Sequence, residues 1–209
     1  DRDSLTPDIG ADEFVMNTYV WDGGGSDNNW TTVEHWSSDT VPTTADISRF
    51  DNTSDKDATV NTNVTVTWVD VNSGYDGTIT QANGNKLTTF GTLSLDSGTF
   101  SGGNALIDIN GTFTVANAIF TATTGTLSVA GNFTIESTGT FNPKGTLVLD
   151  GDLSFADNRT GTIGIGNIQI VMVIEAQEIS QSNDGIVNTT FTDRKLKFVK
   201  LSATDDTEN

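Results

Sequence analysis

Residues 125–135 read GTLSVAGNFTI and residues 145–155 read GTLVLDGDLSF. Laid one over the other, the two strings place Leu127 on Leu147, Val129 on Leu149, Gly131 on Gly151, Phe133 on Leu153 and Ile135 on Phe155. The same register continues one step upstream to Ile107, Ile109, Gly111, Phe113 and Val115. Segments 105–124, 125–144 and 145–164 therefore repeat every twenty residues or so, the length of one coil of a β-solenoid. Within each copy apolar and polar residues alternate, which sends one set of side chains to one face of a strand. One coil cannot bury that face alone. Stacked coils let Ile107, Leu127 and Leu147 form a continuous interior ladder at the strand separation of about 4.8 Å.

Working outward, the recurring glycine suits a corner where the backbone takes a positive φ. Thr114, Thr134 and Ser154 fall at outward positions, where hydroxyls meet water and threonine favours the strand. Residues 91–100, GTLSLDSGTF, read as an out-of-phase copy, and NVTVTWVDV at 63–71 and GTITQ at 77–81 also alternate. The predicted fold is all-β: a parallel β-solenoid, or β-helix, with coils of about 20 residues, an irregular N-terminal cap, and a C-terminal capping or docking strand pair. An antiparallel sandwich also has short strands and frequent turns, but it does not need matching side chains at a fixed spacing.

Composition agrees with this reading and removes several functions. The 209 residues include about 35 threonines and 21 glycines, while only 34% of the chain is hydrophobic. Threonine favours strands, and glycine, Asn and Asp favour tight turns, so helix is a minor component. The 28 acidic and 10 basic side chains leave a formal charge of −18, which argues against a basic face for nucleic acid. No apolar run approaches the ~18–20 residues of a membrane helix, the longest being residues 170–174, so no membrane span is expected. Cysteine is absent, which removes disulfides, thiolate zinc sites and thiol catalysis. The chain starts at Asp1 in an acidic segment with no apolar leader, as expected of a piece excised from something longer.

Two stretches carry a family resemblance. WDGGGSDNNWTTVEHWSSDTVPTTADISRFD, residues 21–51, resembles the opening segment of repeat-rich bacterial surface proteins and autotransporter passenger domains. There, a Trp-x-Gly-Gly-Gly, Asn-Trp, Asn-Trp, Pro, Asp, Phe pattern leads into GTL-type and GNF-type β-helical repeats. Here His35 stands in place of the second Asn before Trp36. PDIGADEF at residues 7–14 is similar to the sequence that closes right-handed parallel β-helix domains in large bacterial surface proteins. The plain alternative for that segment is a flexible acidic leader. The first resemblance spans residues 21–165 and implies a secreted or surface-anchored stalk, adhesin or filament component. Its partners would be copies of itself, neighbouring surface-protein domains or glycans.

Two readings stand for Trp21, Trp30 and Trp36. Aromatic rings among Asn and Asp can stack on pyranose faces, giving a carbohydrate site. The same rings can close the open end of the solenoid, a stronger need, since an uncovered end invites edge-to-edge association. Oxygen-rich candidates for calcium are Asp51, Asp55 and Asp57, Asp150 and Asp152, and Asp22 with Asp27. None has the spacing of an EF-hand or of a calcium-binding nonapeptide repeat, so calcium stays an open cofactor and no other is expected.

Nothing in the chain spells catalysis. A polysaccharide-degrading β-helix enzyme, the third functional reading, would repeat charge on neighbouring coils, but the outward positions Asp108, Ser128 and Val148 do not. His35 is the single histidine and has no recognisable catalytic Ser or Cys partner nearby in sequence. Ice binding would need threonine stacked on threonine, and the ranks Thr112, Asn132, Asp152 and Thr114, Thr134, Ser154 are not uniform. The Asn-x-Ser/Thr sequons arise easily in a chain this rich in Asn and Thr.

The expected organisation is a preceding-domain tail or linker at 1–20, a Trp-rich cap at 21–57, the solenoid at 58–166, C-terminal strands at 167–201 and a linker at 202–209. The C-terminal strands hold Arg194, Lys195, Lys197 and Lys200, four of the ten basic residues. They form either a docking strand for an acidic neighbour or an intramolecular cap whose lysines protect an edge. The functional expectation is a non-catalytic structural segment of an extracellular surface protein, with a carbohydrate-binding module as the alternative.

Overall fold

The structure, a computed structural model, describes residues 16–156 and the backbone of residues 169–171. Two-residue alternation makes short strands, and burial follows it. In Val64–Val66, Ile107–Ile109, Phe113–Val115 and Phe133–Ile135 the outer two residues are buried and the central one is half-exposed.

Strands β1 (Thr18–Val20) and β2 (Ile47–Phe50) precede five coils of three strands each. The first coil holds β3 (Ala58–Val60), β4 (Val64–Val66) and β5 (Trp68–Val71), and the second β6 (Thr78–Gln81), β7 (Leu87–Thr89) and β8 (Leu93–Leu95). The third holds β9 (Thr99–Ser101), β10 (Ile107–Ile109) and β11 (Phe113–Val115), and the fourth β12 (Ile119–Thr121), β13 (Thr126–Val129) and β14 (Phe133–Ile135). The fifth holds β15 (Thr140–Asn142), β16 (Thr146–Leu149) and β17 (Leu153–Phe155), and the backbone of β18 (Gln169–Val171) pairs beyond β16.

Three parallel sheets result, one per side of the coil. Their strand orders are β1-β2-β5-β8-β11-β14-β17, then β4-β7-β10-β13-β16-β18, then β3-β6-β9-β12-β15. The chain is thus a three-sided parallel β-solenoid, and the described residues are all-β apart from two single-turn 3₁₀ helices at Val33–His35 and Ser37–Asp39. The repeat read from the sequence is the stacking register: Ile107 pairs with Leu127 and Leu127 with Leu147. Phe113 pairs with Phe133 and Phe133 with Leu153. The third side is backed by Phe100, Phe120 and Phe141, all buried and in register, with successive ring centroids 5.2 and 6.0 Å apart.

One sequence expectation needs correction. Positive φ is not what selects Gly111, Gly131 and Gly151, since the described glycines with positive φ are Gly23, Gly74, Gly84 and Gly98. The reason is contact. Gly131 N–H donates to the Gly111 carbonyl at 3.0 Å, and a Cβ on Gly131 would lie 2.6 Å from that oxygen. Coil backbones meet here with no room for a side chain. The GTLSLDSGTF string is out of phase with its look-alikes, as expected: Leu93 pairs with Phe113, so Gly91 belongs to the glycine stack of Gly111, Gly131 and Gly151. The GTL of residues 91–93 lies on the first sheet, whereas the GTL strings at 125–127 and 145–147 lie on the second. Identical letters fall on different sides of the coil because the solenoid repeats by position, not by string.

The early coils are longer. Val69 pairs with Leu93 and Val64 with Leu87, and the added residues turn at 72–77 to insert Tyr75, which is fully buried.

Candidate functional site: the N-terminal aromatic cap

Between β1 and β2 the chain leaves the first sheet and folds across the end of the solenoid. Trp21 bridges Trp36 in antiparallel fashion, and Asn29 bridges Thr59 in parallel. Through the second bridge the Trp30 N–H donates to the Thr59 carbonyl at 2.8 Å, and the Thr59 N–H to the Asn28 carbonyl at 2.6 Å. Residues 28–30 thereby cover the outer edge of β3, as an end strand requires.

Apolar packing fills the cap. Trp21, Trp30, Trp36 and Phe50 are buried, with mutual ring centroids between 4.8 and 5.8 Å. Tyr75 of the first coil lies 5.2 Å from Phe50, which joins the cap to the solenoid interior. Trp36 Nε1 donates to the Trp30 carbonyl at 2.8 Å. The Lys56 carbonyl accepts from both Trp21 Nε1, at 2.9 Å, and the Tyr75 hydroxyl, at 3.0 Å. Burial, with the nearby Asp57 and Asp55 carboxylates, pushes the Tyr75 phenol well above its ordinary range, so it stays a donor.

These positions correct the carbohydrate expectation for Trp21, Trp30 and Trp36. Their ring faces are taken up by one another, by Phe50 and by His35, leaving none for a sugar. The exposed indole of the described chain is Trp68, 37% accessible, with Phe90 of the next coil at 57%. Sequence reading passed over Trp68 because it sits inside an alternating strand rather than in the Trp-rich segment.

His35 is buried and stacks on Trp21 with centroids 4.4 Å apart and planes 26° apart. The Gly25 N–H donates to its Nδ1 at 3.1 Å, and Nε2 faces Asp27 Oδ1 at 3.1 Å. An acceptor at Nδ1 places the ring proton on Nε2, which donates to the carboxylate. Asp27 also accepts from the Asn29 N–H at 3.0 Å and from the Thr32 hydroxyl at 2.9 Å. These hydrogen bonds, the Asn29 N–H first and Thr32 next, outweigh desolvation and hold the Asp27 pKa down at about 2. Asp46 is also lowered: burial alone would raise it, but the Thr43 hydroxyl and N–H, with Asn17, more than offset burial.

Most of the remaining aspartates named as calcium candidates serve the backbone. Asp51 Oδ1 accepts from the Thr53 N–H at 2.9 Å, Asp55 Oδ1 from the Asp76 N–H at 3.1 Å, and Asp57 Oδ1 from the Thr78 N–H at 2.8 Å. Asp22 Oδ1 accepts from the Gly24 N–H at 3.1 Å. Asp150 and Asp152 are exposed on the fifth coil. Among the described residues no group of three or more His, Cys, Asp or Glu side chains converges as a metal site would require. No described helix is long and apolar enough to cross a membrane. Arg194, Lys195, Lys197 and Lys200 lie outside the described residues.

Fold and cap together define a three-sided parallel β-solenoid with an aromatic N-terminal lid. No protein-family model, curated protein or solved structure matches the chain.

Proposed function

We propose that the chain is a non-catalytic structural segment of an extracellular surface protein, a stalk, spacer or fibre subunit. The observation that carries this reading is the unbroken interior ladder. From Val64 through Leu87, Ile107 and Leu127 to Leu147, every coil of the second sheet sets an aliphatic side chain directly on the last. Aromatic stacks do the same on the other sides. Phe113 and Phe133 lie 4.4 Å apart, and Phe100, Phe120 and Phe141 form the column of the third sheet.

Such a column resists bending because each coil is tied to its neighbours by parallel backbone hydrogen bonds and by packed rings at close to crystalline density. The first sheet runs seven strands from β1 to β17, a span of about 29 Å at ~4.8 Å per strand. The net charge of −18 keeps like surfaces apart. The likeness of residues 21–51 to the opening segment of bacterial surface proteins supports the extracellular setting.

Immunolabelling of intact cells making the full parent polypeptide, with an antibody against this segment, tests the setting. Labelling of unpermeabilised cells is expected; labelling only after permeabilisation would refute it.

A further inference from the structure

We propose that His35 is a proton-operated latch on the glycine-rich loop at residues 22–29, closed when the imidazole is neutral and released when it takes up a second proton. The geometry leaves the ring little freedom. One face lies on Trp21, and Gly25 is so close that a Cβ there would be 2.8 Å from both Cε1 and Nε2. The ring therefore cannot turn away while the loop stays in place.

The second proton has one place to go. Nε2 already carries a hydrogen toward Asp27, so protonation falls on Nδ1, the atom that accepts the Gly25 N–H. Two N–H groups would then point at each other, and the loop must yield. Asp27 steadies the imidazolium at Nε2, so the charge is tolerated on one side of the ring while the geometry fails on the other. Gly25, held by its N–H on Nδ1 and by its carbonyl on the Lys56 ammonium, loses the first of these ties and must shift away from the ring.

Other charged groups near the ring are committed elsewhere. The Asp22 carboxylate holds the Gly24 N–H, and the Lys56 ammonium donates to the Gly25 carbonyl. Asp55 and Asp57 hold N–H groups of the next coil, the Tyr75 hydroxyl is bound to the Lys56 carbonyl, and the Glu34 side chain is exposed. Among the described residues Asp27 is thus the one ionised group in hydrogen-bond contact with the imidazole.

Release has a structural consequence. The loop carries Asn28 and leads directly into Trp30, and these two supply the hydrogen bonds that cover Thr59 on β3. Loosening it uncovers the end strand of the five-stranded sheet, an edge able to accept a strand from a partner.

Amide hydrogen exchange followed by NMR across the pH range in which the His35 imidazole nitrogens are seen to take up a proton tests the latch. After correction for intrinsic exchange, Gly25 and Thr59 should lose protection by about tenfold or more in step with that titration, while Leu127 keeps its own. In His35→Asn, whose side-chain oxygen accepts the Gly25 N–H without titrating, the loss should vanish. In Asp27→Asn, which removes the carboxylate that steadies the imidazolium, proton uptake and loss of protection should move together to lower pH. Unchanged protection at Gly25 as His35 titrates, an equal loss in His35→Asn, or a loss that stays put in Asp27→Asn would each overturn the proposal.

Discussion

Phe113 and Phe133, on successive coils, stack nearly face to face, with ring centroids 4.4 Å apart and planes 16° apart. Phe120 meets Phe113 edge-on at 4.8 Å, and Phe141 meets Phe133 edge-on at 5.1 Å. Aromatic columns of two sheets thus interlock across the interior. Phe133→Ala leaves a void that the coils above and below cannot collapse into, and should cost about 3–5 kcal/mol. Thr134→Ala, one position along and facing out, should stay within about 0.5 kcal/mol. Urea unfolding followed by circular dichroism measures both.

The glycine stack gives a second test. Gly131→Ala forces a methyl against the Gly111 carbonyl, backbone that cannot step aside, and should cost about 1–3 kcal/mol. Gly84→Ala meets nothing within 4 Å but sits at φ +84°, so its cost is conformational, about 1 kcal/mol. The larger loss at Gly131, read from denaturation midpoints, is the expected outcome; equal losses would contradict the close contact.

Ser48 is buried with no hydrogen-bond partner for its hydroxyl among the described residues. Ser48→Ala removes an unsatisfied polar group and little volume, so it should leave the melting temperature unchanged or raise it by a few degrees. A fall in melting temperature would show that the hydroxyl is satisfied in solution.

Acid stability follows from Asp27 and Asp46. Both carboxyls are depressed in the folded chain, Asp27 to about 2, against about 4 when unfolded. The contribution of Asp27 is therefore present in full above about pH 4 and is lost as pH falls through about 2, and that of Asp46 is likewise lost as pH falls below the ordinary carboxylate range. Asp27→Asn should narrow the difference in stability between pH 5 and pH 2 relative to the unaltered chain, as measured by thermal melts.

Much of the architecture was legible in the sequence because the solenoid uses one kind of side chain at each rung. Leu127 over Leu147 is visible as a twenty-residue spacing before any coordinates. That residues 91–100 are out of phase with the other GTL strings was legible, but not the sheet they join, since GTL serves two different sheets and only the pairing of Leu93 with Phe113 decides between them. The rungs formed by β1 and β2 were hidden for another reason: the cap inserted between Thr18 and its partner Ile47 destroys the period. At the cap, the cluster of tryptophans was evident but not its burial. That no face of Trp21 or Trp36 meets solvent depends on packing against Phe50, itself set on Tyr75, residues distant in sequence and brought together only by coiling. The His35 contacts with Gly25 and Asp27 follow no spacing rule, although a histidine before Trp36 where the resembled pattern has Asn was a usable signal.

The stacking of coil on coil is tested most directly by methyl nuclear Overhauser contacts at Leu127. Strong contacts to Ile107 on one side and Leu147 on the other are expected, from the parallel register. Contacts from Leu127 to residues only 8–12 positions away, without Leu147, would mean an antiparallel sheet and would contradict the solenoid.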